Sequence, residues 1–389
     1  MNEFEILIDI IKNLVNNAKS NIFYDEFDYE KLYNLAKHHS LENMLFFAYN
    51  HEMIKISEKQ AQELIKINKN AIYKSVTQDV ELNLISKTFE ENKIKHLILK
   101  GSIIKNLYPS LDFRSMADID ILVLKEDLLN VKKLMLDIGY VVNSACGNHD
   151  VYYKMPFMNI EIHRNMIDDS YKLSSYYKSI WDRLSLNEDK LFSYKQSDED
   201  FYIYLISHAA KHFGNGGIGI RTIMDIYVFL KHKPNIDFKY INDEFDKLGI
   251  RLFNEKLMQL AFIWFGEAKS NEEFDLLGNY IINSGTYGTT AHSFILSELE
   301  IDKDINNISK MKLVLKRAFP PYKTMKKTFP SLRHLPFLLP FYYLIRIIKA
   351  FFTKNKEVRG QVKTISSINN KEVIKIKKVK DIVGFNEKQ

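Results

Sequence analysis

The stretch that most limits how this 389-residue chain can fold is Asp118-Ile119-Asp120-Ile121-Leu122-Val123. Four apolar residues with two carboxylates at a spacing of two read as a buried strand, whose alternate side chains point to opposite faces. Asp118 and Asp120 then share one face, and Ile119 and Ile121 turn toward a core. Two carboxylates side by side repel. Either one is protonated, or each pairs with a base, or together they hold a divalent metal. Oxygen ligands suit Mg²⁺ or Mn²⁺, with water and substrate phosphates completing the shell. The plain alternative is an edge strand with two solvated aspartates.

Upstream, IKHLILK at residues 94–100 is short, apolar and followed by Gly101-Ser102, which predicts a second buried strand ending in a turn. SIIKNLY then reads as a short helix stopped by Pro109. A strand, Gly-Ser, helix turn leaves backbone N–H groups free for phosphate oxygens; glycine permits close approach and serine adds a hydroxyl. The two features make an anion cradle beside a carboxylate pair, suited to a nucleoside triphosphate with Mg²⁺. Glu161, in NIEIH, points away from Ile160 and Ile162, and reaches the aspartates if its strand pairs beside theirs. His163 shares its face. Lys100 alternates with Leu99 and is expected to reach the phosphates. Arg114 offers a planar fork for the triphosphate or a place in the site loop.

Around this centre the periodicity is helical. Residues 1–93 read as a helical region, 94–170 as a small mixed-sheet core, and 171–310 as a helical domain; 311–352 is an apolar helical segment and 353–389 a basic tail. The predicted class is α+β. EDLLNVKKLMLDIGY predicts a helix with a left-handed cap at Gly139. The N-terminal stretch reads as an amphipathic helix on Phe4, Leu7, Ile8, Ile11 and Val15 rather than a signal peptide. A lone Cys146 excludes an internal disulfide and a Cys-rich zinc site, and fits a cytoplasmic setting. The net charge is +6, and residues 353–389, with ten Lys/Arg against four Asp/Glu, hold all of it. Residues 1–352 are formally neutral, which makes long nucleic acid an unfavoured partner. The tail reads as a solvated basic segment. LRHLPFLLPFYYLIRIIKAFF is too short and too interrupted by Pro336 and Pro340 to span a bilayer. It is expected to pack on the body, with peripheral membrane contact through 335–389 as the alternative.

The order Gly101-Ser102, Asp118-Ile119-Asp120, Ile160-Glu161-Ile162 resembles the polymerase-β-type nucleotidyltransferase superfamily. More closely, LILKGSIIKNLYP, RSMADIDILV, EIH and LISHAAKHF followed by GIGIRTIMDIYVFL look like the bacterial group called uncharacterised nucleotidyltransferases, over about residues 30–350. The resemblance implies a mixed sheet with a nucleotide cleft at its edge. Gly101 and Ser102 would hold the triphosphate, and Asp118 and Asp120 both metals. Glu161 would complete the metal that activates the acceptor. The reaction is in-line displacement at the α-phosphorus with release of pyrophosphate. Fifteen residues, Ile103 to Ala117, separate Ser102 from Asp118, somewhat more than the common gap, which implies an added loop around Arg114.

Other motifs weigh less. His208 and His212 share a helix face and are placed in the cleft or in packing, with no third zinc ligand in view. Arg221 and Asp225 read as a helix ion pair. GNGGIG at 214–219 follows a helix where a dinucleotide fingerprint needs a strand, so it reads as an inter-helix loop. Asp150, Asp168 and Asp169 are the reserve carboxylates should Glu161 not serve. The alternatives to nucleotidyl transfer are a degenerate nucleotide- or partner-binding module and a transferase using another phosphate-bearing donor. The acceptor, a hydroxyl or a phosphate, is not readable from the residues.

Overall fold

The computed structural model describes residues 1–18, 22–286, 288–299, 310–352 and 364–385. Helices dominate, and the strands form one mixed seven-stranded sheet in the order β3-β4-β5-β2-β1-β7-β6. The strands are β1 His96–Ile98, β2 Ile119–Val123, β3 Val141–Cys146, β4 His149–Lys154, β5 Met158–His163, β6 Ser185–Leu186 and β7 Ser193–Lys195. The expected α+β arrangement is therefore the observed one.

β2 sits at the centre, antiparallel to β1 and parallel to β5. Alternation divides its side chains. Ile119, Ile121 and Val123 join an apolar cluster with Ile160 and Ile162 of β5, covered by Ile85 and Phe89 of helix Glu58–Glu91 and by Val131 and Met135 of helix Leu128–Asp137. Leu122 faces the other way, into a larger cluster built mainly from helices. That second cluster joins Ile6 to Val15 of the N-terminal helix Glu3–Val15 to the helices of residues 198–299. The helical regions on either side of the sheet thus share one core, and the division at residue 93 does not separate two.

Helix Leu128–Asp137 ends with Gly139 at φ +88°, the left-handed conformation that favours glycine. GNGGIG joins helix Asp198–Gly214 to helix Ile220–His232. Gly217 there has φ +124°, and a Cβ on it would lie 2.3 Å from Ser284 Oγ, so the glycine serves close packing.

Three expectations need correction. β6 and β7 lie in the region read as purely helical; they have two and three residues, too few for a period of two to show. The basic tail is not wholly solvated. Helix Asn370–Ile382 buries Val373, Ile376 and Val379 against helices Glu272–Ser284 and Thr290–Leu299, and Ile365 and Ile368 enter the same core. Its lysines fall between those apolar positions, so a charge count concealed an amphipathic pattern. Residues 353–363 and 386–389 of the tail lie outside the described residues. Finally, helix Leu339–Phe352 touches helix Lys310–Ala318, yet leaves Phe341, Leu344 and Ile348 exposed instead of packing them on the body.

Candidate active site

β2 and β5 pair in parallel with Asp120 directly opposite Glu161. That register puts the third carboxylate beside the second on the face away from the isoleucines. Asp118 stands one residue ahead of β2. These acids line a cleft of about 770 Å³ that also receives Lys100, Gly101, Ser102 and Arg114 from the turn and loop between β1 and β2. His163, His208 and His212 line the same cleft. All ten residues singled out from the sequence therefore meet in one place, although they span more than a hundred positions.

The strand side is a charge cluster. Lys100 Nζ lies 3.0 Å from Asp120 Oδ2, and His163 Nε2 lies 2.8 Å from Asp120 Oδ1 and 3.3 Å from Glu161 Oε2. Burial raises the Asp120 pKa, but the Lys100 ammonium and the His163 hydrogen bond outweigh it and hold the carboxyl well below its usual range. Asp118 has the opposite fate. Burial and the neighbouring Asp120 charge push it up, with Lys100 only partly offsetting them. For His163, burial is overcome by the hydrogen bonds to Asp120 and Glu161, and its pKa rises. The hydrogen bond from His163 outweighs burial at Glu161, which shifts down. His163 Nδ1 is buried with no hydrogen-bond partner.

The set fits a divalent cation. Three carboxylates crowd one cleft, and mutual repulsion destabilises the ionised form of Asp118. Among the described residues, His149, Glu161 and His163 also offer ligand atoms within 4.8 Å of one another.

The helix side carries bases, and its acid in the cleft lining, Asp225, is held by Arg114. Helix Asp198–Gly214 contributes His208, Lys211 and His212, and helix Ile220–His232 contributes Arg221. The two histidines lie Nε2 to Nε2 at 3.2 Å, so one donates and the other accepts. Burial, assisted for His212 by Lys211 and Lys100, lowers His212 to about 3. His208 falls well below its ordinary value for the same first reason. Burial and Lys100 also lower Lys211. This pair is not part of the metal-capable group.

Arg114 ties the two sides together. Its Nε donates to Asp225 Oδ1 at 2.8 Å and Nη2 donates to Asp225 Oδ2 at 2.9 Å, a two-pronged grip on a buried carboxylate that also accepts from Tyr108 Oη at 2.6 Å. Arg114 therefore fixes the site loop to helix Ile220–His232. Arg221 Nη1 donates to the Ser115 carbonyl from the same helix. The reserve carboxylates divide: Asp168 lines the cleft, whereas Asp150 is paired with Arg164.

Sequence reasoning missed Lys211, His149 and Lys74. Lys211 was findable, because it follows His208 by three on the same helix face. Lys74 lies on helix Glu58–Glu91 within the electrostatic reach of Asp118, and burial lowers its pKa. No local pattern marked it.

A central strand with paired acids, a third acid on its parallel neighbour and a glycine turn beside them defines a nucleotidyltransferase. The family model described as uncharacterised nucleotidyltransferase matches residues 25–266, which is more than half of the chain and holds every site residue above, and the chain belongs to that family. Among solved structures it is similar to the solution structure of the antibiotic-resistance factor ANT(2'')-Ia, at 12% identity and a TM-score of 0.35, over 46% of this chain and 97% of that one. No curated protein matches the chain.

Proposed function

We propose that the chain moves a nucleoside monophosphate from an NTP to an acceptor hydroxyl or phosphate, releasing pyrophosphate, with Mg²⁺ or Mn²⁺ as cofactor. The observation that carries this reading is the β2–β5 register, which sets Glu161 opposite Asp120 beside Asp118. Asp118 and Asp120 would hold the metals, and Glu161 the one that serves the acceptor. Bound there, divalent metal neutralises phosphate oxygens and lowers the pKa of the attacking hydroxyl.

The chain's own groups divide the remaining work. Gly101 lines the cleft at the end of β1, where its backbone would approach a phosphate, and Ser102 would offer a hydroxyl. Lys100, paired with Asp120 at 3.0 Å, would supply an ammonium to the same phosphates. Glu161, on the acceptor side, is placed to take the acceptor proton. The helix-side groups would face the acceptor, with burial lowering the pKa of His208, Lys211 and His212.

The test is calorimetry of the full chain with non-hydrolysable analogues of the four NTPs, with and without Mg²⁺. At least one should bind, and bind more tightly with the metal. Incubation with labelled NTPs and cell extract should then transfer label to an acceptor. Failure of all four to bind folded protein sinks the cleft assignment. A second reading, nucleotide binding without turnover, draws on Asp120 being paired on both oxygens by the chain's own Lys100 and His163. Tight metal-dependent binding with no label transfer would favour it.

A further inference from the structure

The neutrality of residues 1–352 is an average of two opposite charges. Residues 1–309 carry 35 Lys/Arg against 45 Asp/Glu, a net −10, whereas residues 310–352 carry ten Lys/Arg and no Asp or Glu, a net +10. This acid-free stretch lies wholly outside the 25–266 segment that matches the family.

Its apolar side chains are placed as unusually as its charges. Leu313 anchors helix Lys310–Ala318 in the main core, and Lys316 pairs with Glu298. On that helix and just beyond it, Met311, Leu315 and Phe319, four apart, are 68%, 50% and 47% exposed. On helix Leu339–Phe352, Phe341, Leu344 and Ile348 are 58%, 54% and 45% exposed. The two helices touch, with the Phe319 ring 5.3 Å from that of Tyr343.

A surface that meets only water mixes both signs of charge and keeps large apolar side chains scattered. Helices with an apolar row, many cations and no anions match the interface between lipid headgroups and acyl chains. We propose that residues 310–352 bind the surface of an anionic lipid bilayer. The apolar rows enter the acyl boundary, and the excess positive charge of the stretch meets the phosphates. Duplex or single-stranded nucleic acid would satisfy the cations, but it gives Met311, Leu344 and Ile348 nothing apolar to bury against. Among the described residues no helix is long and apolar enough to cross a membrane, so the contact is peripheral. The same surface repels the net −10 of residues 1–309, which orients the cleft-bearing part of the chain toward water.

The experiment is flotation of the full chain with unilamellar vesicles of phosphatidylcholine alone or mixed with phosphatidylglycerol. The chain should float with the anionic vesicles, at least about tenfold less with the neutral ones, and less as salt rises. Phe341→Glu with Leu344→Glu should weaken anionic binding by at least about tenfold. Phe341→Trp, which keeps an aromatic at an exposed position, should show a blue-shifted emission difference from wild type on mixing with anionic vesicles. This reading decides the matter if the double variant does not fold. Absence of flotation, undiminished binding by a folded double variant, or no blue shift would each overturn the proposal. Retention on RNA or DNA without flotation would overturn it in favour of nucleic acid.

Discussion

On the strand wall of the cleft, His163 lies between two carboxylates and its pKa rises, whereas on the helix wall His208 and His212 lie against each other and near lysines, and their pKa values fall. Both walls are buried, so burial alone does not set the charge of an imidazole. The partner within hydrogen-bond reach does. The strand wall accumulates anions and compensates them with Lys100 and His163. The helix wall accumulates bases, and burial disfavours the charged form of its two histidines. One wall therefore holds charged pairs, and the other holds histidines whose charged form burial disfavours.

The largest test separates the walls. Arg114→Met leaves the Asp225 carboxylate buried without its guanidinium, and should cost about 3 kcal/mol of stability in urea denaturation. Arg114→Lys should recover only part, because an ammonium cannot grip both oxygens. If both variants are as stable as wild type, the loop is not held to the helix wall by this pair.

Next in size is the strand wall itself. Asp118→Asn and Asp120→Asn keep shape and remove a charge; label transfer should fall about a hundredfold or more, and metal-dependent nucleotide affinity with it. Glu161→Gln should lose turnover to a similar extent while keeping most of the affinity. Full activity in both aspartate variants would show that the strand wall is not where chemistry occurs. Lys100→Met, which strips the ammonium from Asp120, should cost about 2 kcal/mol, and saturating Mg²⁺ should restore part of that loss. A loss unchanged by Mg²⁺ would mean that ammonium and metal do not share the carboxylate.

The smallest effect is a slope. His212 titrates at about 3 in the folded chain against an ordinary 6.5. Between those values the unfolded chain takes up a proton that the folded chain refuses, so stability falls as pH drops from 6.5 toward 3, by up to about 1.4 kcal/mol per pH unit for each such histidine. His39 and His292, each lowered by burial to about 4, add to the fall. His163 runs the other way: its pairing stabilises fully below 6.5, and that share is lost as pH rises through its raised pKa. Urea melts from pH 4 to 7 should show a shallower acid-side slope in His212→Asn. An unchanged slope would mean that the helix-wall histidine is already charged.

The central part of the fold was legible because β2 and β5 alternate cleanly, so that one face of each reads as core and the other as acid. The register that joins them followed only from pairing the two strands. Lys211 obeys helix spacing, three residues after His208 on the same face, and was legible in principle. Other features carried no local signal. Asp225 was assigned to Arg221, four residues away on its own helix, but its carboxylate is held by Arg114, 111 positions earlier. β7 exists because β1 offers it an edge, and β6 pairs in turn on β7, not because their five residues prefer to be extended. In the tail, Val373, Ile376 and Val379 were legible in principle, and net charge was the wrong measure for them.

Helix Glu3–Val15 packs on helix Arg251–Phe265, and Asn16 Nδ2 donates to the Phe265 carbonyl at 2.9 Å. A ribosome adding about 5–20 residues per second makes the first helix roughly 12–50 s before it makes the second. During that time helices Tyr29–His38 and Glu42–Asn50 cover part of the apolar face of Glu3–Val15. The rest, on the side that later meets helix Arg251–Phe265, waits without its partner. The nascent protein is therefore a substrate for chaperones that hold exposed apolar helices, and faster translation would shorten its period of risk.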